Sequence, residues 1–269
     1  MKKIVPQTCL VAANKQLDAA GLYYSLTIAD FKTPRPISPG QFVHIKVADG
    51  GEVYFRRAFS IADYDPRTGA LEIIYKILGR GTARLGDKKK GDRLDIIGPL
   101  GNRFSKIPKK SNVVMVAGGV GFPPLYFYAK YLIQSGHDSR QISFFYGGRT
   151  RNDLVELSRI KKLGVRFFPC TDDGSFGFKG FVTKAVAEAM GEMNPHHTSV
   201  CGCGPEPMLA ALQDLALKSG FDGELSLEAP MPCGVGVCLG CIKPTIANPR
   251  EYVRVCHDGP VFKLGEVAL

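Results

Sequence analysis

Short runs of alternating apolar and polar residues fill the first hundred positions. They cover residues 22–29, 41–47, 57–62, 71–77 and 93–97, with turn signals between them at Pro34, Pro36, Pro39-Gly40, Gly50-Gly51, Asp65-Pro66 and Gly98-Pro99. Strands at this spacing, with no helical stretch among them, predict a small antiparallel β-barrel. The pattern changes after Pro108. Residues 112–117 form a wholly apolar run, followed by Gly118-Gly119-Val120-Gly121 and a helix from Pro123 to about Ser135. Prolines are tolerated in that first helical turn, where the backbone donors have no intrahelical partner. Strands at 142–146, 165–168 and 198–201 then alternate with helices at 153–163, 181–190 and 207–219. Such alternation predicts a parallel sheet with helices on both faces, an α/β domain. From about Glu224 the chain is rich in Gly, Pro and Cys and lacks long periodic segments. A piece this small has little core of its own, so metal ligation would supply much of its stability. The expected division is residues 1–106, 107–222 and 223–269.

Composition narrows the picture. A length of 269 residues and 45% hydrophobic content suit about two domains with real cores plus a short tail. The chain has 35 Lys and Arg against 25 Asp and Glu, a formal net charge of +10. Basic residues gather at Lys88-Lys89-Lys90, at Lys106, Lys109 and Lys110, and at Arg159, Lys161 and Lys162. Charge runs of this kind usually form solvated faces, and they also draw phosphate-bearing cofactors. Nucleic acid is not expected, because no aromatic stripe or helix-turn-helix pattern accompanies the charge. Residues 111–129 carry no formal charge and approach the ~20 residues of a membrane span. Gly118, Gly119, Gly121, Pro123 and Pro124 interrupt them, so no span is expected. Met1-Lys2-Lys3 followed by Ile4-Val5-Pro6-Gln7 does not read as a secretory leader. With four of eight cysteines at metal spacing, this points to a reducing, cytoplasmic setting.

The strongest chemical signal is the set Cys233, Cys238, Cys241 and Cys256, which reads C-x4-C-x2-C, then fourteen residues, then C. That is the plant-type spacing of a [2Fe–2S] cluster held by four thiolates. Cys238 and Cys241 would also suit zinc. The Cys233 lead and the surrounding glycines favour iron–sulfur. Cys9, Cys170 and Cys201 have no partner at ligand spacing and read as small buried residues.

Four further segments suggest a bound cofactor. Gly118, Gly119 and Gly121 lie between a strand and a helix, where backbone N–H groups can meet a pyrophosphate. A glycine turn serves tight packing equally well. Cys203-Gly204-Pro205 sits at a second strand-to-helix junction, at the carboxyl edge of the same sheet. Arg57-Ala58-Phe59-Ser60 places Arg57 and Phe59 on one face of a strand. A guanidinium suits phosphate, and Phe59 suits either a flat ring or the core. Gly79-Arg80-Gly81-Thr82 suggests a second phosphate cradle.

In this order, these motifs resemble the ferredoxin–NADP reductase superfamily, and within it the iron–sulfur electron-transfer subunits of class 1B dihydroorotate dehydrogenase. The most specific pieces are Gly98-Pro99-Leu100-Gly101-Asn102, the stretch from Met231 to Cys241, Cys256-His257-Asp258-Gly259-Pro260-Val261-Phe262, and Thr171 to Ser175 with Gly180 to Thr183. The resemblance implies an FAD on the barrel, with Arg57, Ala58, Phe59, Ser60, Ile74, Tyr75, Lys76, Gly81 and Thr82 around it. It implies a nicotinamide site on the α/β domain and a [2Fe–2S] cluster on Cys233, Cys238, Cys241 and Cys256. It also implies a hetero-oligomer with a separate, FMN-containing catalytic subunit, acting in pyrimidine biosynthesis. Electrons from dihydroorotate would pass through the cluster to FAD and on to NAD. Arg56, and Ala58 where proline is commoner, depart mildly from the family pattern.

Nicotinamide exchanges two electrons together and the cluster carries one, so a flavin must stand between them. No side chain is then needed as acid or base, and no catalytic residue is nominated. Two other readings stay open: a subunit of the same superfamily with another partner (sulfide dehydrogenase, ferredoxin–NADP transhydrogenase or hydrogenase), and a zinc-stapled nucleotide-binding module. NAD and NADP are not distinguished, since Arg149 and Arg151 suit either a 2′-phosphate or solvent.

Overall fold

The computed structural model describes residues 6–33, 35–48, 51 and 53–269. The leader reading at positions 1–5 and the turn signals at Pro34 and Gly50 lie outside the described residues.

Six strands close the N-terminal barrel: β1 (Gln7–Gln16), β2 (Tyr23–Ala29), β3 (Phe42–Lys46), β4 (Arg57–Asp65), β5 (Ala70–Lys76) and β6 (Arg93–Leu100), in the order β1-β2-β5-β4-β3-β6. All neighbours are antiparallel. The interior holds Leu26, Ile28, Val43, Ile45, Ile61, Leu71, Ile73 and Ile96, supplied by alternate positions as the pleat requires. Strand β1 is absent from the sequence reading because only Cys9 and Val11 of its ten residues are buried, which leaves a weak pattern. The barrel also carries a helix that the sequence reading excluded. Helix α1 (Arg80–Gly86) is seven residues long and its one large buried side chain is Leu85, too little for a visible 3.6-residue period.

The second unit is a seven-stranded sheet. Its strands are β7 (Asn112–Gly118), β8 (Ile142–Gly148), β9 (Arg166–Thr171), β10 (Phe178–Lys179), β11 (Thr198–Cys203), β12 (Asp222–Ser226) and β15 (Val261–Lys263), in the order β10-β9-β8-β7-β11-β12-β15. All pairs are parallel except β12 with β15. Val113, Val114, Met115, Val116 and Ala117 of β7 are all fully buried, as expected for a central strand covered on both faces. Helices α2 (Phe122–Gln134), α3 (Leu157–Lys162), α4 (Val182–Met190) and α5 (Glu206–Lys218) connect them. The sequence pattern extends α3 back to Asp153, but the helix starts later. Glu156 is left-handed (φ 55°), and the Asp153 carboxylate is turned to the Thr150 N–H and to the barrel.

The cysteine-rich tail is not a free-standing unit. Its strand β15 extends the main sheet, while β13 (Ile242–Pro244) and β14 (Tyr252–Arg254) form a separate two-stranded ribbon. Val255, Cys256, Phe262 and Val267 join one core with Val114, Val200 and Leu212 of the α/β unit. The expected boundary after residue 222 falls inside β12. The barrel reaches the tail too: Asn102 Nδ2 donates to the carbonyls of Asp258 and Val261, and its Oδ1 accepts the Val261 N–H at 2.9 Å.

Candidate functional site: a cleft, a loop pair and four thiols

A gap in the barrel ladder defines the first region. Strands β4 and β5 pair from Asp65 with Ala70 to Ile61 with Ile73, and pairing then stops. The next residues diverge: Arg57 to Ser60 on β4 and Ile74 to Lys76 on β5 remain paired only on their outer sides, to β3 and β2. Past that point the two segments make no ladder hydrogen bonds to each other, and Phe59, Ile74 and Tyr75 are buried. At the mouth of the cleft between them, Arg57 Nη1 donates to the Phe55 carbonyl at 2.6 Å, and the guanidinium lies over Gly81, where an added Cβ would stand 3.1 Å from Nε. Thr82 Oγ1 accepts the N–H groups of Leu78 and Gly79 and so shapes the turn before α1. Two segments far apart in sequence, Arg57 and Gly81-Thr82, are thus brought into one cradle. Phe55 (58% exposed) and Leu78 (77% exposed) flank it; the sequence reading missed both.

Not every side chain in those segments faces a ligand. Phe59 points into the barrel, edge-on to Tyr75 with ring centroids 5.7 Å apart. Tyr75 also stacks on Tyr24 and hydrogen-bonds Asn14. Ile74 is buried against the α/β unit. Lys76 Nζ donates to Asp153 Oδ1 at 3.0 Å across the boundary between the units, and the Tyr23 hydroxyl donates to the same oxygen at 2.9 Å. These side chains hold structure. Arg56 is likewise structural, bound to the Asp95 carboxylate at 2.6 Å and to its carbonyl at 2.8 Å.

The two glycine-bearing junctions of the sheet also meet. A Cβ on Gly121 would lie 2.2 Å from the Cys203 carbonyl oxygen, and one on Gly118 2.7 Å from Met208 Sδ. Gly204 would collide with the Gly118 backbone at 2.9 Å. The close approach of two main chains explains glycine at Gly118, Gly121 and Gly204. Gly119, by contrast, faces open space, so this loop both packs and offers a free edge. Cys203 is fully buried; burial pushes its thiol well above the ordinary range, and the Glu228 charge adds to this. Arg149 is exposed, while Arg151 donates to the Leu154 carbonyl at 2.8 Å and lies over Phe176.

The four tail cysteines form two pairs. Cys233 neighbours Cys238, and Cys241 neighbours Cys256, each close enough to shift the other thiol. Each sulfur also accepts one backbone N–H: Val235 to Cys233 at 3.5 Å, Gly236 to Cys256 at 3.2 Å, Gly240 to Cys238 at 3.4 Å and Cys256 to Cys241 at 3.4 Å. Burial alone would raise the Cys233 thiol, but the N–H groups around it outweigh that and hold it down to about 6. The Cys256 thiol, buried and close to Cys241, is pushed up to about 12. Among the described residues no three His, Cys, Asp or Glu side chains gather around one point for a single ion. A two-iron cluster asks for something else, two thiolates at each iron and amide donors to sulfur, and the paired arrangement fits that demand. Leu239, between two of the cysteines, is held left-handed at φ 57° and is 57% exposed; such strain in a non-glycine residue gathers at functional loops.

The chain's relatives agree with this geometry. Residues 228–268 match the family model "Iron-sulfur cluster binding domain of dihydroorotate dehydrogenase B", and residues 115–214 match "Oxidoreductase NAD-binding domain". The chain is 36% identical over 265 residues to the electron transfer subunit of dihydroorotate dehydrogenase B (NAD(+)) of Fusobacterium nucleatum subsp. nucleatum, covering 98% of each. The chain belongs to that family. The counterpart from Geobacillus thermodenitrificans is 38% identical over 248 residues, covering 91% of this chain and 93% of its own. Among solved structures, that of an NADH-dependent reduced ferredoxin-NADP oxidoreductase superposes with TM-score 0.83 at 29% identity, covering all of this chain and 91% of its own. Family membership accounts for the barrel, the α/β sheet and the cysteine tail together, and it removes the zinc-stapled module as a reading of the whole chain. Sequence reasoning did not find Asn102's clamp on the tail, the Lys76–Asp153 pair or His44. Single polar residues of this kind leave no periodic signal.

Proposed function

We propose that this chain carries electrons between a dihydroorotate-oxidising catalytic subunit and NAD, using FAD and a [2Fe–2S] cluster of its own. The observation that carries the reading is the set of four neighbouring thiols, each given one backbone N–H, on a loop whose Met231 and Gly234 meet His44 of β3, the strand that pairs with β4 beside the cleft. Cys233 and Cys238 would hold one iron, Cys241 and Cys256 the other. Arg57, Ala58, Phe59, Ser60, Ile74, Tyr75, Lys76, Gly81 and Thr82 would surround FAD, with Arg57 and the turn at Gly81 on its phosphates and the unpaired strand edges on its ring system. Gly118, Gly119 and Gly121 with Cys203, Gly204 and Pro205 would receive the nicotinamide dinucleotide. A bound flavin supplies the step between two-electron and one-electron chemistry. The chain's residues bind, orient and exclude water; none is assigned as acid or base.

Three functional regions, at residues 1–106, 107–222 and 223–269, share one interlocked body. The partner we infer is an FMN-containing subunit in a hetero-oligomer. Val237 (78% exposed), Leu239 and the exposed Cys238 form the apolar rim on which it would dock, since an electron leaving the cluster needs a short path into that partner. All eight cysteines are unbridged, which supports a cytoplasmic setting. Among the described residues no helix is long and apolar enough to cross a membrane.

The test is co-expression with the catalytic subunit encoded by the same organism. The purified complex should contain FMN, FAD and two irons per copy of this chain, and should reduce NAD with dihydroorotate. The Cys238→Ser chain should lose the cluster's visible absorbance while keeping FAD. A complex that binds another acceptor's subunit and ignores dihydroorotate would favour the sister reading, an NAD(P)H:acceptor subunit of the kind suggested by the likeness to the ferredoxin-NADP oxidoreductase.

A further inference from the structure

One buried group takes no part in the functions assigned so far. His44 lies in the middle of β3, is completely buried, and pairs across the ladder with Ala58 of β4. Its ring leaves the barrel on the outer face and meets the cysteine loop. Nε2 stands 2.9 Å from the Met231 carbonyl oxygen. A carbonyl can only accept, so Nε2 carries the proton and Nδ1 is left bare. Nδ1 is buried and has no hydrogen-bond partner. It sits against Gly234, where an added Cβ would come within 2.6 Å of Nδ1 and 2.9 Å of Cε1. Gly234 is left-handed at φ 69° and directly follows Cys233. The loop therefore gives up a side chain at Gly234 and turns the Met231 carbonyl inward, both toward one imidazole. On the other side, the His44 carbonyl faces Arg56, which is itself fixed to Asp95.

We propose that His44 is a positioning residue that sets the cysteine loop against the flavin strand, and through that placement governs electron passage between flavin and cluster. A greasy side chain of the same size would fill the volume more cheaply than an imidazole with an unpartnered nitrogen, because a buried acceptor without a donor loses its water and gains nothing in return. The directional bond to Met231 is what an apolar residue could not supply. Ala58, opposite His44 on β4, belongs to the segment that borders the cleft. A shift of the loop relative to β3 is then a shift of the cluster relative to the flavin. The inference rests on the electron-transfer reading given above.

The experiment compares His44→Gln, whose amide can still donate to Met231, with His44→Phe, which fills space without a donor. Holo-protein is mixed anaerobically with NADH, and the flavin and cluster bands are followed separately. Cluster electron-paramagnetic-resonance spectra and the rate of iron loss to a chelator are recorded on the same samples. His44→Phe should leave flavin content and the rate of flavin bleaching unchanged. Its cluster bleaching should slow by roughly 10-fold or more, the scale on which ~1 Å misplacements act at reacting centres. The spectrum should shift, and iron should leave faster. His44→Gln should restore most of each property; if His44→Phe cannot hold the cluster at all, a His44→Gln protein that holds it also supports the proposal. Equal behaviour of the two variants, whether both match the unsubstituted protein or both lose the cluster, overturns it. An unsubstituted protein without NADH-driven cluster bleaching would instead defeat the electron-transfer reading.

Discussion

At the residue scale, the site is built from close approaches that only small residues permit. Gly121 is the sharpest case, since a methyl group there would overlap the Cys203 carbonyl at 2.2 Å. Backbone cannot give way as a flexible side chain can, so the two loops must separate. Overpacking of this kind costs roughly 1–3 kcal/mol. Gly121→Ala should therefore raise the KM for NADH by about tenfold or more in dye reduction, with flavin and cluster absorbance retained. An unchanged KM would remove these loops from the nicotinamide site. Arg57 is proposed to make the opposite kind of contribution, a charge on the phosphates of FAD. Charged hydrogen bonds are worth about 1.5–3 kcal/mol. Arg57→Ala should weaken FAD binding by roughly 10- to 100-fold, read as flavin fluorescence released on dilution.

Ion pairs between elements fix the angle at which the barrel meets the α/β unit. Lys76 on β5 and Asp153 ahead of α3 pair at 3.0 Å, each side chain only 16% exposed. Arg159 on α3 makes a two-pronged contact with Glu72 on β5 at 2.7 and 2.8 Å, and lies over the Tyr126 ring. Lys130 on α2 pairs with Asp63 on β4 at the same boundary. The sequence reading of Arg159 as part of a solvated charge run is thus corrected: it is a half-buried fastener. Burial would raise the Asp153 carboxyl, but Lys76 and Tyr23 outweigh it and hold the group below the ordinary aspartate value. A carboxyl with a depressed folded-state pKa adds stability above its unfolded pKa, and that stability is lost as the pH falls through the folded value. Asp153→Asn should therefore cost about 1–3 kcal/mol in urea unfolding at pH 7. The gap from the unsubstituted protein should narrow progressively as the pH falls below about 4. A constant gap from pH 7 to pH 3 would assign the loss to packing and not to charge.

The whole molecule is a three-way interlock. The tail supplies the edge strand β15 to the main sheet, buries Val255, Phe262 and Val267 in its core, and is gripped by Asn102 from the barrel. Burying one such side chain contributes roughly 1.5–3 kcal/mol, and a whole domain is stable by only about 5–15 kcal/mol. Removing residues 228–269 should consequently do more than delete the cluster. The shortened chain should aggregate or unfold at a clearly lower temperature, because the edge of β12 and the face around Leu212 and Leu225 would be bare. A soluble, monodisperse fragment with an unchanged melting temperature would show the tail to be separable. The expectation that metal supplies much of the tail's stability is modified accordingly, since apolar docking supplies part of it.

Local pattern carried much of this in the sequence itself. The period-two runs of β2 to β6, the apolar run of β7, the alternation of strands and helices, and the cysteine spacing are all set by neighbours along the chain, and physical rules act on them directly. Contacts between residues far apart in sequence were settled only by folding. The β4–β5 ladder stops at Ile61 and Ile73, Arg57 lies over Gly81, Gly121 meets Cys203, and His44 reaches Met231. Each depends on how two surfaces pack, and packing is a property of volumes in three dimensions that no run of neighbouring letters encodes.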